Sequence, residues 1–405
     1  MTLLSSRIRK RERAVLGGVL GLSSLLVACG SDWANDQGYT KPTGTTEPTV
    51  EPSTTHPQGL HAVGNVVRDD AGNLITLRGV NRSGTEYACA TQGHIFDGDN
   101  DEQSVQGIAS WGVNAVRIPL NESCWLGING VPDEIGGGAY KSAILDYVAL
   151  LHRYALVPIL ELHWTAPGDV KAASQPLVPD LDHAPETWSD IAATFAGDSG
   201  VVFEPFNEPV YNYFFDDAES AWNCWRDGCD APDRMQRNSV LPGLQAAGMQ
   251  TLLDAIRAAE RDAGTPSHLV LVGGLDWSND LSGWLAHAPA DTEANLGAAW
   301  HVYSNNGCRS DACWDGAPAD VAAEVPLVVT ELGENDCQGE FVSTLMDWLD
   351  ARGLGYLAWS WNTFGVCQAG SSDKAWSLIT DYRSARPNSE YAQTFHDHIA
   401  AIVGQ

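Results

Sequence analysis

Leu327-Val328-Val329-Thr330-Glu331 is an apolar run that closes on a carboxylate. Leu269-Val270-Leu271-Val272 is a second run of the same kind, and both have the near-continuous apolar character of a strand covered on both faces of a parallel sheet. Working outward from them, strands are expected near Ile75–Val80, Ala115–Pro119, Val157–Leu162, Val201–Phe206, Leu269–Gly273, Ala298–Tyr303, Leu327–Glu331 and Leu354–Trp359. Helix-like stretches separate them, among them Ala143–Ala155, Pro185–Phe195, Met249–Ala263 and Glu340–Arg352. Strands alternating with helices in this way predict an α/β fold, a (β/α)8 TIM barrel forming a single catalytic domain. A doubly wound sheet is the rival, but it calls for a Gly-rich phosphate loop after an early strand, and the chain has none there.

Polar and aromatic residues close several of these runs: Arg117, His163, Asn207 with Glu208, His301 with Tyr303, Glu331 and Trp359. In a barrel these are the C-terminal strand ends, the face that carries active sites. A single such residue carries little weight, whereas convergence from six strands is hard to attribute to packing. Two of them, Glu208 and Glu331, supply what cleavage of a glycosidic bond requires, a proton for the leaving oxygen and an attack at the anomeric carbon.

The rest of the chain bounds the setting. Arg7, Arg9, Lys10, Arg11 and Arg13 precede an apolar stretch from Ala14 to Ala28, too short to span a bilayer comfortably, so residues 1–28 read as a signal peptide. The stretch ends in Leu26-Val27-Ala28-Cys29, which resembles a bacterial lipobox and makes Cys29 the expected lipidation site. Residues 29–57, with the Thr/Pro-rich segment from Thr40 to Thr55, have almost nothing to bury and read as a disordered tether. Residues 58–405 form the expected barrel, on the order of 350 residues and within the range of such domains with large loops. The expected location is extracellular or at the cell surface, with the membrane met only through the N-terminal lipid.

The formal charge is −29. Removing residues 1–28 takes away five basic residues and Glu12, leaving 18 basic against 51 acidic side chains and a charge of −33. Such a surface repels nucleic acid and anionic polysaccharide and suits a neutral substrate. Of nine cysteines, setting Cys29 aside leaves eight, an even set that in an exported chain points to disulfides. Cys224 with Cys229 and Cys308 with Cys313 are the expected local pairs, while the pairing of Cys89, Cys124, Cys337 and Cys367 stays open. Zinc is disfavoured for want of CxxC or Cys/His clusters. Asp97-Gly98-Asp99-Asn100-Asp101 has alternating carboxylates but lacks the Gly and terminal Glu of a calcium loop, so a solvated acidic loop is expected. Asp180 and His183, in the loop after the third strand, receive no role beyond shaping the cleft. No metal and no cofactor is expected, and the protein is expected to be a monomer.

Taken in order, the motifs resemble glycoside hydrolase family 5, the cellulase family. Phe206-Asn207-Glu208-Pro209 after strand four and Glu331-Leu332-Gly333 after strand seven are similar to that family's acid/base and nucleophile motifs. Leu77-Arg78-Gly79-Val80-Asn81, Asn114-Ala115-Val116-Arg117-Ile118-Pro119, Leu162-His163-Trp164, His301-Val302-Tyr303 and Trp359-Ser360-Trp361 extend the likeness over nearly the whole folded part. The resemblance implies that Glu208 is the general acid/base and Glu331 the nucleophile of a retaining endo-β-glycanase. It also implies that Arg117, His163, Asn207, His301, Tyr303 and Trp359 bind substrate or orient the carboxylates, with Trp361 the rival of Trp359 beneath the sugar. A neighbouring carboxylate is expected to raise the pKa of Glu208, and Arg117 and Tyr303 to lower that of Glu331. Trp164, Trp222, Trp225, Trp277 and Trp314 are each either sugar platforms or packing. Thr330, where the family commonly has Gly or an apolar residue, and the acidic Glu334-Asn335-Asp336-Cys337 depart from the pattern and leave the substrate open: β-1,4-glucan first, then mannan or another β-glycan. Retention of both carboxylates argues against a non-catalytic carbohydrate-binding protein.

Overall fold

The computed structural model describes residues 50–230, 244–371 and 374–404. The expected signal peptide, Cys29 and residues 29–49 of the expected tether lie outside the described residues. Eight parallel strands close into a barrel: β1 (Arg78–Asn81), β2 (Ala115–Asn121), β3 (Val157–Trp164), β4 (Val202–Glu204), β5 (Val270–Gly273), β6 (Leu296–Tyr303), β7 (Leu327–Gly333) and β8 (Gly355–Ala358). Each pairs with its neighbours in chain order, and β8 closes on β1 through Tyr356↔Arg78, Leu357↔Gly79 and Ala358↔Val80. The connections that parallel strands require are helices, including Gly138–His152, Ala184–Thr194, Met249–Ala263 and Glu340–Asp350, which cover the barrel.

Two apolar layers hold this together. Inside the barrel, Leu77, Ala115, Val157, Ile159, Val202, Leu269, Leu271, Ala299, Val328 and Leu357 fill the lower half. A small antiparallel sheet (His61–Val63, Val66–Arg68, Leu74–Ile75) packs there, adding Leu60 and Val67 to that layer. Outside, the larger cluster joins strands to helices through residues such as Ile118, Trp188, Leu252, Ile256, Trp300, Leu345 and Tyr391. Each fully buried aliphatic or aromatic side chain contributes on the order of 1.5–3 kcal/mol. Local chemistry fixes the helix ends: the Asp101 and Asn121 side chains accept from the backbone N–H groups of Ser104 and Cys124. Gly264 takes the left-handed turn (φ 68°) that stops Met249–Ala263.

Four disulfides are formed: Cys89–Cys124, Cys224–Cys229, Cys308–Cys313 and Cys337–Cys367. The two local pairs are those expected, and the open pairing resolves into bridges between neighbouring strand-end loops. With separations of 35 and 30 residues, the long-range pair should contribute about 4 kcal/mol each by loop closure, against about 2 for the local ones.

The last residues of the expected tether, 50–57, are described by the structure. Residues 50–57 lie against the barrel rather than free: Ser53 N–H donates to the Arg153 carbonyl at 2.7 Å, and the His56 ring stacks on His152 at 3.9 Å. Composition alone missed this because one backbone bond and one ring contact suffice to seat an otherwise polar segment. The acidic loop is tied down internally: Arg383 pairs with Asp99 (2.9 Å) and Asp101 (2.8 Å), and the Tyr87 hydroxyl donates to Asp97.

Candidate active site

The strand ends converge as the sequence implies, and they do so in two tiers. The lower tier centres on Arg117, midway along β2 and fully buried. Its Nε and Nη2 donate to the two oxygens of Glu204 (2.8 and 3.0 Å), Nη1 to Asn81 (3.0 Å) and to Glu331 Oε1 (2.6 Å), and Nη2 to Asn207 Oδ1 (2.8 Å). Glu161 lies 3.4 Å from Nη2. Burial works against the charge of Arg117, but Glu161, Glu204 and Glu331 outweigh it and keep the guanidinium ionised.

The upper tier holds the two carboxyls singled out by the sequence. Glu331 Oε2 accepts from the Tyr303 hydroxyl at 2.6 Å, so both of its oxygens are fixed. Glu208 Oε1 lies 2.9 Å from His301 Nδ1, and its Oε2 accepts from Gln175 Nε2 at 2.6 Å. His301 Nδ1 is also 3.5 Å from Glu331 Oε2, and one oxygen of each glutamate lies within 4.8 Å of the other. The far nitrogen of His301 meets Thr330 Oγ1 at 3.1 Å, and that hydroxyl donates to Glu204 at 3.2 Å. Because the Thr330 proton is committed to Glu204, His301 Nε2 must donate, and its Nδ1 is left to share a proton with Glu208.

The proton affinities differ from expectation. Burial opposes the charged form of His301, yet Glu331, Glu204 and Glu208 together push its pKa up to about 10. For Glu208, burial raises the pKa but the His301 contact wins, and the carboxyl is held below its usual range. For Glu331, burial wins over His301 and Arg117, and its pKa is raised. The expected order is thus inverted in the free protein. The reason is that the imidazole, which the sequence could not position, sits closer to Glu208 than to Glu331.

A cleft of about 410 Å³ opens over the two glutamates, lined by His163, Gln175, Asn207, Glu208, Trp277, Tyr303, Asn305, Asn306, Glu331, Trp359 and Trp376. His163, Asn207, Tyr303 and Trp359, expected to meet substrate, are on its wall. Arg117 and His301 are not: both are fully buried behind the carboxylates, so of the two expected roles, binding substrate or orienting the carboxylates, their contacts with Glu331 and Glu208 fit the second. His163 is oriented by Glu161 (Nδ1–Oε2 2.8 Å) and Asn207 (3.3 Å), and lies nearly parallel to Trp359, with centroids 5.5 Å apart. Trp361 is fully buried against Trp111, so of these two rings it is Trp359 that lines the cleft. Trp222, Trp225 and Trp314 are buried packing, Trp164 is half-buried beside Tyr87, and Trp277 reaches the cleft.

Sequence reasoning missed Glu161, Glu204, Asn81, Gln175, Asn305, Asn306 and Trp376. Glu161 and Glu204 did carry a signal: each is a carboxylate inside an otherwise apolar strand, which is tolerated only beside a counter-charge. Trp376, packed edge-on to Tyr303 at 4.9 Å, comes from the loop after β8 and carried none.

Two facing glutamates at the ends of β4 and β7, held by an arginine, a tyrosine and a histidine in an aromatic-lined cleft, define a two-carboxylate barrel of the glycosidase class. The chain belongs to the cellulase family, glycosyl hydrolase family 5, whose profile matches residues 69–365, and it is a glycoside hydrolase. It is 22% identical to a mannan endo-1,4-beta-mannosidase of Salipaludibacillus agaradhaerens over 75% of this chain and 81% of that one. It is 25% identical to a mannan endo-1,4-beta-mannosidase of Streptomyces lividans over 76% of this chain and 67% of that one. In fold it is similar to a beta-glucanase from Saccharophagus degradans solved with cellotetraose (TM-score 0.60, 19% identity, 92% of this chain and 100% of that one). It is also similar to a beta-mannanase from Streptomyces thermolilacinus solved with mannohexaose (TM-score 0.56, 21% identity, 86% of this chain and 99% of that one).

Proposed function

We propose that the protein is a retaining endo-β-1,4-glycanase in which Glu331 is the nucleophile and Glu208 the general acid/base. The observation that carries this reading is the approach of the two carboxylates to within 4.8 Å with His301 between them. Retaining enzymes hold their carboxyls about 5–5.5 Å apart, whereas inverting ones need roughly 6.5–9.5 Å to admit a water. Glu331, fixed at both oxygens, attacks the anomeric carbon. The proton shared by Glu208 and His301 Nδ1 moves to the leaving oxygen through Glu208, which then accepts a proton from water to release the product. Asn207, on the cleft wall and held by Arg117, is positioned to bond the sugar 2-hydroxyl, and Trp359 to support the ring.

Mannan moves ahead of glucan as the substrate. Both curated relatives above are mannan endo-1,4-beta-mannosidases, while the structural likeness extends to glucanases and mannanases alike and favours neither. A neutral backbone also suits the chain's charge of −29. The test is hydrolysis of β-mannan, mixed-linkage β-glucan, cellulose and xylan at equal mass, followed by both reducing ends and viscosity. Mannan should be cut fastest, with viscosity falling well before sugars accumulate. A faster rate on a glucan would reassign the substrate, and a steady release of monosaccharide without loss of viscosity would overturn endo action.

A further inference from the structure

A second constellation lies away from the two glutamates, where the short helix Glu122–Leu126 after β2 meets the end of the long loop between β3 and helix Ala184–Thr194. Glu122 and Asp180 are both fully buried there, and His183 is about one-fifth exposed. His183 Nδ1 lies 3.8 Å from Glu122 Oε1 and 4.0 Å from Asp180 Oδ1, and one donor atom from each of the three falls within 4.8 Å of the others. Asp182 Oδ2, 4.0 Å from the same nitrogen, stands at the solvent side.

Among the described residues, some buried carboxylates are paired with an arginine, while others, Glu86 and Glu334 among them, are held by backbone N–H groups instead. Glu204 and Glu331 surround Arg117, and Glu260 and Asp291 surround Arg257. Among the described residues, no Arg or Lys is paired with Glu122 or Asp180. Moreover, no N–H or O–H donor of the described residues reaches the buried Glu122 Oε2 and Asp180 Oδ2, which leaves the two carboxyls to face each other, while Glu122 Oε1 accepts from Ala166 N–H (3.1 Å) and Asp180 Oδ1 from His183 N–H (2.8 Å). Two buried carboxylates that face each other without a fixed counter-charge are costly, and either a proton or a cation must relieve them.

We propose that Glu122, Asp180 and His183, with Asp182 at the rim, bind one divalent cation of the zinc or manganese class. Two buried carboxylates supply negative charge, and the imidazole selects a borderline metal over calcium, which takes oxygen ligands. A cation bonded at about 2.1 Å holds its donors no more than about 4.2 Å apart, a limit that the 3.8 and 4.0 Å separations of His183 Nδ1 from Glu122 and Asp180 already meet. The role is to brace the loop of residues 165–183, which also carries Gln175 onto Glu208 Oε2.

The protein is dialysed against chelator and titrated calorimetrically with ZnCl2, MnCl2 and CaCl2, with its thermal midpoint followed in parallel. One equivalent of zinc or manganese should bind at least tenfold more tightly than calcium and raise the midpoint by several degrees. His183→Ala, a partly exposed position, should weaken that binding at least tenfold while leaving the midpoint of the metal-free protein nearly unchanged. His56→Ala, at the separate His56–His152–Asp198 cluster, should leave binding intact. The proposal is overturned by the absence of stoichiometric binding, which would leave the pair held by a proton. It is equally overturned by calcium binding as tightly as zinc and manganese, by binding insensitive to His183→Ala, or by binding lost in His56→Ala.

Discussion

His301 Nδ1 lies 2.9 Å from Glu208 Oε1, while its other nitrogen is committed to Thr330 Oγ1 at 3.1 Å. The two side chains therefore titrate as a pair, and the proton held between them belongs to neither alone. Thr330 is what fixes the imidazole tautomer that makes this sharing possible.

The pair sets the pH range of activity. Its last proton persists until His301 titrates at about 10, so the alkaline limb of kcat/KM should lie well above neutral. The acid limb belongs to Glu331, whose raised pKa delays the ionisation that a nucleophile needs. In His301→Asn the proton must sit on Glu208 alone, which brings the alkaline limb down. Glu331 loses a neighbour that lowers its pKa, which moves the acid limb up. The bell should narrow from both sides. A profile of unchanged width, with only its height reduced, would mean that His301 merely holds the loop geometry.

Arg117 is the counter-charge to Glu204 and Glu331, with Glu161 beside it. Arg117→Ala leaves buried carboxylates facing one another, and should cost about 3–5 kcal/mol in urea unfolding at pH 7. It should also reduce kcat/KM by at least roughly 100-fold, about 2.7 kcal/mol of lost transition-state stabilisation. Arg117→Lys retains the charge but not the fork that reaches Glu204 with two nitrogens, so it should recover stability only in part. A loss under about 1 kcal/mol for the alanine variant would contradict this role.

We propose that Cys29 sets where the protein resides. We infer a lipid anchor there from Leu26-Val27-Ala28-Cys29 at the end of an apolar run. Expressed from the full-length sequence in a bacterial host that lipidates exported proteins, Cys29→Ser should move activity from the membrane fraction to the soluble one. Activity that stays with membranes in the variant would place the anchor elsewhere.

Much of the fold was legible because the eight barrel strands alternate with helices, and all eight fall within a few residues of their apolar runs. β4 is the shortest match, Val202–Glu204 against an expected Val201–Phe206, since Pro205 cannot donate to the ladder. The glutamates were legible because each follows or ends an apolar run of sequence, although β4 itself stops at Glu204 and β7 runs on to Gly333. What the sequence could not supply was depth: Arg117 and His301 share the chemistry of sugar-binding residues, yet close packing behind Glu331 and Glu208 buries them completely. Residues delivered by long loops, such as Gln175 and Trp376, were illegible because no periodicity fixes where a loop returns to the cleft.

The assignment of Glu208 and Glu331 is tested most directly by the stereochemistry of azide rescue on an activated aryl β-glycoside. Glu208→Ala retains the nucleophile, so the glycosyl-enzyme forms without much need of an acid, and azide, which needs no general base, should release it as the β-azide. Glu331→Ala leaves the opposite face open, and azide should enter there to give the α-azide. Proton NMR of the two products reads the anomers. β from Glu208→Ala and α from Glu331→Ala is the predicted result, and the reverse pairing would contradict the assignment of the two glutamates.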